Sequence, residues 1–149
     1  AMRFAMKHQE KLLALILDGG NLDARGVKKS VQLPITLGYR MAKLFSGLSA
    51  KAEKRSELLG LMVNDPHISP YELSVIHVPT LVLAGTKDLI LEEETRRIAE
   101  YIPGAKLRLI EGDHFIAAKA YEAFNAAVEE FLDGISGTDA HSGEAGYGA

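Results

Sequence analysis

Thr80-Leu81-Val82-Leu83-Ala84, entered through Val78-Pro79 and left at Gly85, and Lys106-Leu107-Arg108-Leu109-Ile110, left at Glu111-Gly112-Asp113, are the two stretches that decide the fold. Each is a short apolar run bounded by turn formers, and its length and branched side chains suit a strand better than a helix. Between them, Glu92 to Tyr101 opens with consecutive glutamates, carries Ile98 and Tyr101 at helical spacing and closes at Pro103-Gly104. Acidic residues complement a helix N-terminus, and a Pro-Gly pair stops the helix. A helix joining two strands is a crossover between parallel neighbours, and such connections are right-handed. The spacing therefore predicts a βαβ unit over residues 80–110 and an α/β fold.

Upstream, Leu12-Leu13-Ala14-Leu15-Ile16-Leu17 is continuously apolar and stops at the turn formers Asp18-Gly19-Gly20-Asn21. It reads as a further strand buried on both faces, giving about three parallel strands ordered first, second, third along one sheet. From Val31 to Val75 the apolar residues Leu37, Met41, Leu44, Phe45, Leu58, Leu59, Leu61 and Met62 recur at helical spacing. Two or three helices are expected there, divided where Asp65-Pro66 and Ser69-Pro70 restrict the backbone. Tyr121, Phe124, Val128, Phe131 and Leu132 mark one face of a final helix ending near Gly134. The stretch 134–149, rich in Gly, Ser and Ala, is expected to be a disordered tail, which leaves 2–133 as the domain.

The composition suits one globular domain: 149 residues, 47% hydrophobic and 25% charged. A net charge of −3 with interspersed signs offers no basic face for nucleic-acid phosphates, and no nucleic-acid partner is expected. The absence of cysteine excludes disulfides, thiolate metal clusters and a cysteine nucleophile, and it points to the cytoplasm. Leu12 to Leu17, the longest apolar run, is far shorter than the roughly 20 residues of a membrane-spanning helix, so no membrane partner is expected. No period recurs, which sets a repeat array aside.

Open parallel sheets place their sites at the carboxyl ends of the strands. His114 directly follows the third strand and is a candidate base, while Asp88 holds the corresponding place after the second strand. An acid and a histidine on adjacent loops can form the hydrogen bond that sets an imidazole's tautomer and stabilises its protonated form. Asp113 is assigned to shaping its turn, and Glu92, Glu93 and Glu94 to starting a helix. His8, His67, His77 and His141 lack metal-ligand spacing, and Gly19-Gly20 lacks the spacing of a phosphate loop. No metal and no cofactor is expected, and a nucleotide-binding βαβ protein is disfavoured because no glycine-rich loop opens a helix after any strand.

These residues resemble the carboxyl-terminal half of the α/β hydrolases. The stretch from Val78 to Asp88 is similar to that family's penultimate strand with its acid loop, and Ile110 to Phe115 to its last strand with the catalytic histidine loop. Met6 to Leu17 is similar to the end of the helix after the family's nucleophile running into the next strand. The resemblance covers nearly everything from Met2 to Leu132. It implies a partial α/β-hydrolase fold, a helical cap inserted over about 31–75, and Asp88 and His114 as two members of a catalytic triad.

The family's serine elbow, Gly-x-Ser-x-Gly, has no counterpart here. The nearest approach, Gly134-Ile135-Ser136-Gly137-Thr138, lacks the final glycine and follows the histidine, so Ser136 is not expected to be a nucleophile. With the oxyanion-hole segments missing as well, the expectation is a serine-type hydrolase of an ester or related acyl bond that lacks its nucleophile in this chain and is inactive alone. A truncated, non-catalytic assembly module is the alternative. Ala1 before Met2 reads as a cloning residue. The strand Leu12–Leu17 would lie at the sheet edge without protective charge or proline, so a homodimer through that strand is expected, or else pairing with a missing amino-terminal half.

Overall fold

The computed structural model describes residues 1–64 and 66–141. Its centre is the strand β2 (Thr80–Gly85), buried along its whole length. β1 (Leu15–Asp18) and β3 (Lys106–Ile110) flank it, both parallel to it, in the order β1-β2-β3. Leu15 pairs with Thr80, Leu81 with Lys106 and Gly85 with Ile110. The α/β architecture and the strand order read from the sequence are those observed.

Side chains alternate across the sheet, so each face feeds its own core. Leu15, Leu17 and Val82 face one side, where they meet Met2 and Ala5 of α1 (Met2–Lys7), Ile98 of the crossover helix, Ile102, and Leu73 and Ile76. Leu81, Leu83 and Ile110 face the other, against Ile116 and against Phe131 of the last helix. Two layers of helix thus cover one central strand, which explains why β2 is apolar at consecutive positions instead of alternate ones.

Between β1 and β2 run α2 (Lys29–Phe45) and α3 (Ala50–Asn64), packed against each other, followed by a short 3-10 segment, Pro70–Val75. α3 stops before Pro66 and the 3-10 segment starts at Pro70 behind the capping residue Ser69, as the prolines predict. After β2 come α4 (Glu92–Tyr101), β3, α5 (Ile116–Lys119) and α6 (Tyr121–His141). Among the described residues no helix is long and apolar enough to cross a membrane.

Some expectations require correction. The first strand is not Leu12–Leu17: it begins at Leu15, and Leu13 is 93% exposed. Leu15 N–H donates to Pro79 O at 2.8 Å, but Pro79 has no N–H with which to carry the ladder one row further upstream. The last helix does not end near Gly134. It runs to His141, with Ile135 packed on the Phe131 cluster one turn on, so a disordered tail from 134 is wrong for 134–141, while 142–149 lie outside the described residues. On α6, Phe124, Val128 and Phe131 face the core as expected, whereas Tyr121 and Leu132 are exposed. In the helical interlude Leu37, Met41, Leu44, Phe45, Leu58, Leu61 and Met62 are all exposed, since α2 and α3 lie against each other and leave these faces uncovered.

The interlude is anchored beside the carboxyl edge of the sheet. Val27 bridges Ile90, and Lys28 N–H donates to Leu89 O at 2.8 Å. At its far end Ile68 N–H donates to Leu22 O at 3.0 Å, and His67 Nδ1 lies 2.9 Å from Asp23 Oδ2. Asp23 also caps the short turn Ala24–Gly26 and binds Arg25, which holds its carboxyl down to about 2.

Leu83→Ala, in the fully buried centre, is expected to cost about 2–5 kcal/mol of unfolding free energy by urea denaturation. Leu13→Ala is expected to stay within about 0.5 kcal/mol of the parent. A large loss at Leu13 would mean that the strand does extend upstream.

Candidate functional site

Because β2 and β3 are parallel neighbours, their carboxyl ends deliver two loops side by side. Backbone bonds bind them together: Thr86 N–H donates to Ile110 O at 2.9 Å and Lys87 N–H to Gly112 O at 2.8 Å. The approach is close enough to exclude a side chain at Gly85. A Cβ there would sit 2.5 Å from the Gly112 carbonyl oxygen and closer still to that of Asp113. The histidine loop is therefore seated directly on the end of β2.

Asp88 is turned inward from its loop, and its side chain is 3% exposed. Burying a carboxyl group is costly unless its oxygens are bonded. Here Oδ1 accepts from Ile90 N–H at 2.9 Å, Oδ2 accepts from Gly85 N–H at 3.3 Å, and His114 Nδ1 lies 2.8 Å from Oδ1. The His114 side chain is 31% exposed, so one side of the ring reaches solvent while the other is held by the acid. With the proton on Nδ1 donating to Asp88, the Nε2 lone pair is left to accept a proton from a group arriving at the sheet edge. The two residues singled out by position are thus joined by a hydrogen bond.

Asp18, at the end of β1, is a third acid at this edge that the sequence reading passed over. Desolvation pushes its carboxyl above the ordinary value, His114 pulls it back down, and the charge of Asp88 adds to the rise. The signal was available, since Asp18 and Gly19 follow a strand at the same edge that drew attention to Asp88 and His114. Asp113 shapes its turn: it accepts from Phe115 N–H at 2.9 Å and pairs with Lys119, whose hydrogen bond first and the Phe115 bond second hold its carboxyl low.

The other candidates lie elsewhere. Ser136 donates to Leu132 O within α6 and stands in no complete glycine elbow. His8 lies beside Phe4 and Glu10, His67 is bound to Asp23, and His77 takes part through its backbone N–H, which donates to Gln9 Oε1. Among the described residues no three His, Asp or Glu side chains come together as a metal-binding set. Glu94 proves to be more than a helix start. It is buried, accepts from Leu22 N–H at 3.0 Å and pairs with Arg97 at 3.0 Å, tying the turn after β1 to α4.

No protein-family model matches the chain. A stretch of 65 residues, 42% of the chain, is 42% identical to a protein of Caulobacter sp. (strain K31) described provisionally as the carbamate hydrolase RutD. Among solved structures the chain is similar to the enol-lactonase from Burkholderia xenovorans LB400, with a TM-score of 0.62 and 19% identity over 89% of this chain. It is similar also to MGS-M2, an alpha/beta hydrolase enzyme from a Medee basin deep-sea metagenome library, with a TM-score of 0.64 and 19% identity over 89% of this chain. An alpha/beta fold family hydrolase from Bacillus anthracis str. Sterne gives a TM-score of 0.61 at 19% identity over 88% of this chain. The chain spans 60%, 60% and 62% of those three structures and 24% of the Caulobacter protein. At these identities the structural likeness establishes the fold.

The elevated Asp18 carboxyl has a stability consequence of definite sign. The folded state holds this proton more tightly than the unfolded chain, so the group stabilises the fold below about 3.8 and loses that contribution as pH rises through its higher folded value. Asp18→Asn is expected to unfold at higher urea than the parent at neutral pH, with the gap closing in acid. A gap that widens below pH 3.8 would contradict this.

Proposed function

We propose, from the premise that the chain is part of an α/β-hydrolase fold, that it supplies the acid and the histidine of a serine-type hydrolase acting on an ester or related acyl bond. The observation that carries this reading is the 2.8 Å contact between His114 Nδ1 and the buried Asp88 at the carboxyl edge of a parallel sheet. The nucleophilic serine comes from outside these 149 residues, because no Gly-x-Ser-x-Gly elbow occurs within them. The names of two similar proteins, a carbamate hydrolase and an enol-lactonase, support that substrate class.

In this reading the serine Oγ attacks the acyl carbon as His114 Nε2 takes its proton. Asp88 stabilises the imidazolium through Nδ1–H. The tetrahedral intermediate collapses as the leaving group receives that proton, and a water activated by the same Nε2 then releases the acid and frees the serine. The cysteine-free composition supports a cytoplasmic setting.

The β1 edge supports a second proposal, that the chain pairs with another polypeptide. Leu15 and Gly19 N–H groups donate to β2, and the alternation of a parallel ladder leaves those of Ile16 and Asp18 directed to the outer side. We take a second copy, paired through β1 across a two-fold axis, as the partner. A separate chain bearing the serine is the competing outcome, and a non-catalytic assembly module is the alternative role.

Hydrolysis of activated aryl esters by this chain alone is expected at a background rate unchanged by His114→Ala. When a polypeptide carrying the serine elbow completes the site, His114→Ala is expected to lower turnover about 10²–10⁴-fold. His114-dependent hydrolysis by this chain alone, or indifference of the completed enzyme to His114, would overturn the reading.

Light scattering coupled to size exclusion is expected to give twice the chain mass at micromolar concentration. Ile16→Pro removes an outward donor while sparing the β2 ladder, and it should restore the monomer mass. A monomeric parent would sink the dimer.

A further inference from the structure

The imidazole of His114 lies on the backbone of the turn that leaves β1. Gly19 has φ of +57° and is fixed there by its N–H, which donates to Leu83 O at 3.0 Å. A Cβ at this position would stand 2.6 Å from His114 Cε1, 2.8 Å from Nδ1 and 3.6 Å from Asp88 Oδ2. Carbon atoms in contact prefer roughly 3.5–4.0 Å, so ring and side chain cannot share the space. Asp88 is held by two backbone donors and the histidine loop is seated on Gly85, so a Cβ here would be accommodated by turning the ring, which is open to solvent on one side, away from its acceptor.

We propose that Gly19 is a positioning residue for the dyad, and that the space left by its missing side chain is the slot in which the imidazole lies while bonded to Asp88. The left-handed backbone is not the only demand on this glycine. Gly104 has φ of +73° with nothing within 4 Å of where its Cβ would be. The adjacent Gly20 would meet only ordinary contacts, at 3.7 Å to Ile98 and 3.8 Å to Met2. Gly19 is thus set apart by what lies over it. The third strand of the sheet supplies the histidine, the second the acid, and the first a floor that keeps the ring from swinging away from its acceptor. This inference rests on the hydrolase reading only for the purpose of the dyad, and its test observes the ring itself.

The measurement is ¹⁵N and ¹H NMR of the His114 ring at neutral pH, with signals assigned by their loss in His114→Ala. The parent is expected to show the Nδ1–H tautomer, with a low-field Nδ1 proton that exchanges slowly because it is held by Asp88. In Gly19→Ala that proton signal should be lost and the ring should shift toward the Nε2–H tautomer that free imidazole side chains favour. Gly104→Ala, which imposes comparable backbone strain away from the ring, should retain the parent spectrum. If Gly19→Ala does not fold, Gly19→Asn is read in its place, since Asn tolerates the left-handed conformation while still carrying a Cβ. A Gly19 variant that folds with the parent signature overturns the inference. So does unfolding of both variants while Gly104→Ala folds, because Gly19 would then hold the sheet and not the ring. A parent without the Nδ1–H signature overturns the dyad, and with it the hydrolase reading, independently of what Gly19 does.

Discussion

A buried carboxyl group is the constraint around which this structure is arranged. Asp88 lies under the carboxyl edge of the sheet with its oxygens turned to Gly85 N–H, Ile90 N–H and His114 Nδ1. Leaving such a group buried without partners would cost several kcal/mol, so all three neighbours are held in place by the same requirement. Two of the donors, at the end of β2 and in the loop that follows it, arise from local chain geometry. The third belongs to a loop 26 residues later, and it can arrive only because β3 runs parallel to β2 and ends beside it.

A second buried carboxyl group, Glu94, ties the surrounding frame together. It accepts from Leu22 N–H and pairs with Arg97, while Gly26 packs so closely on its side chain that a Cβ would lie 2.7 Å from Glu94 Cγ. The turn after β1 is thereby fastened to α4, and the contacts of Asp23 with His67 and of Leu22 with Ile68 fasten the same turn to the far end of the helical interlude. The long helical stretch from Lys29 to Val75 is thus pinned at both ends, while its middle makes its main contacts within itself.

That middle leaves apolar side chains open to solvent. Leu33, Leu37, Met41 and Leu44 form one stripe along α2, and Leu44 is 72% exposed. Contiguous apolar surface of this kind marks an interaction site in proteins generally. The chain also spans only about 60% of the solved structures it matches.

The local elements were legible because their signals are local. The run Thr80 to Ala84, the helix Glu92–Tyr101 and the run Lys106 to Ile110 carry their period and their stops within a few residues, and the crossover between them fixes a parallel pair. From that topology alone Asp88 and His114 fall at one edge, so the candidate pair could be chosen by position. Tertiary structure decided what depends on residues distant in sequence. Pro79 cut the first strand to Leu15–Asp18 from the opposite side of a ladder, and the Phe131 cluster drew α6 on past Gly134. Helical periodicity predicted α2 and α3 but not that their apolar faces would be left open, since a period says which residues share a face and not what meets it. Likewise Gly19 reads as an ordinary turn glycine until a ring from residue 114 is laid across it, because an approach of that kind is fixed by packing between strands and leaves no trace in either segment alone.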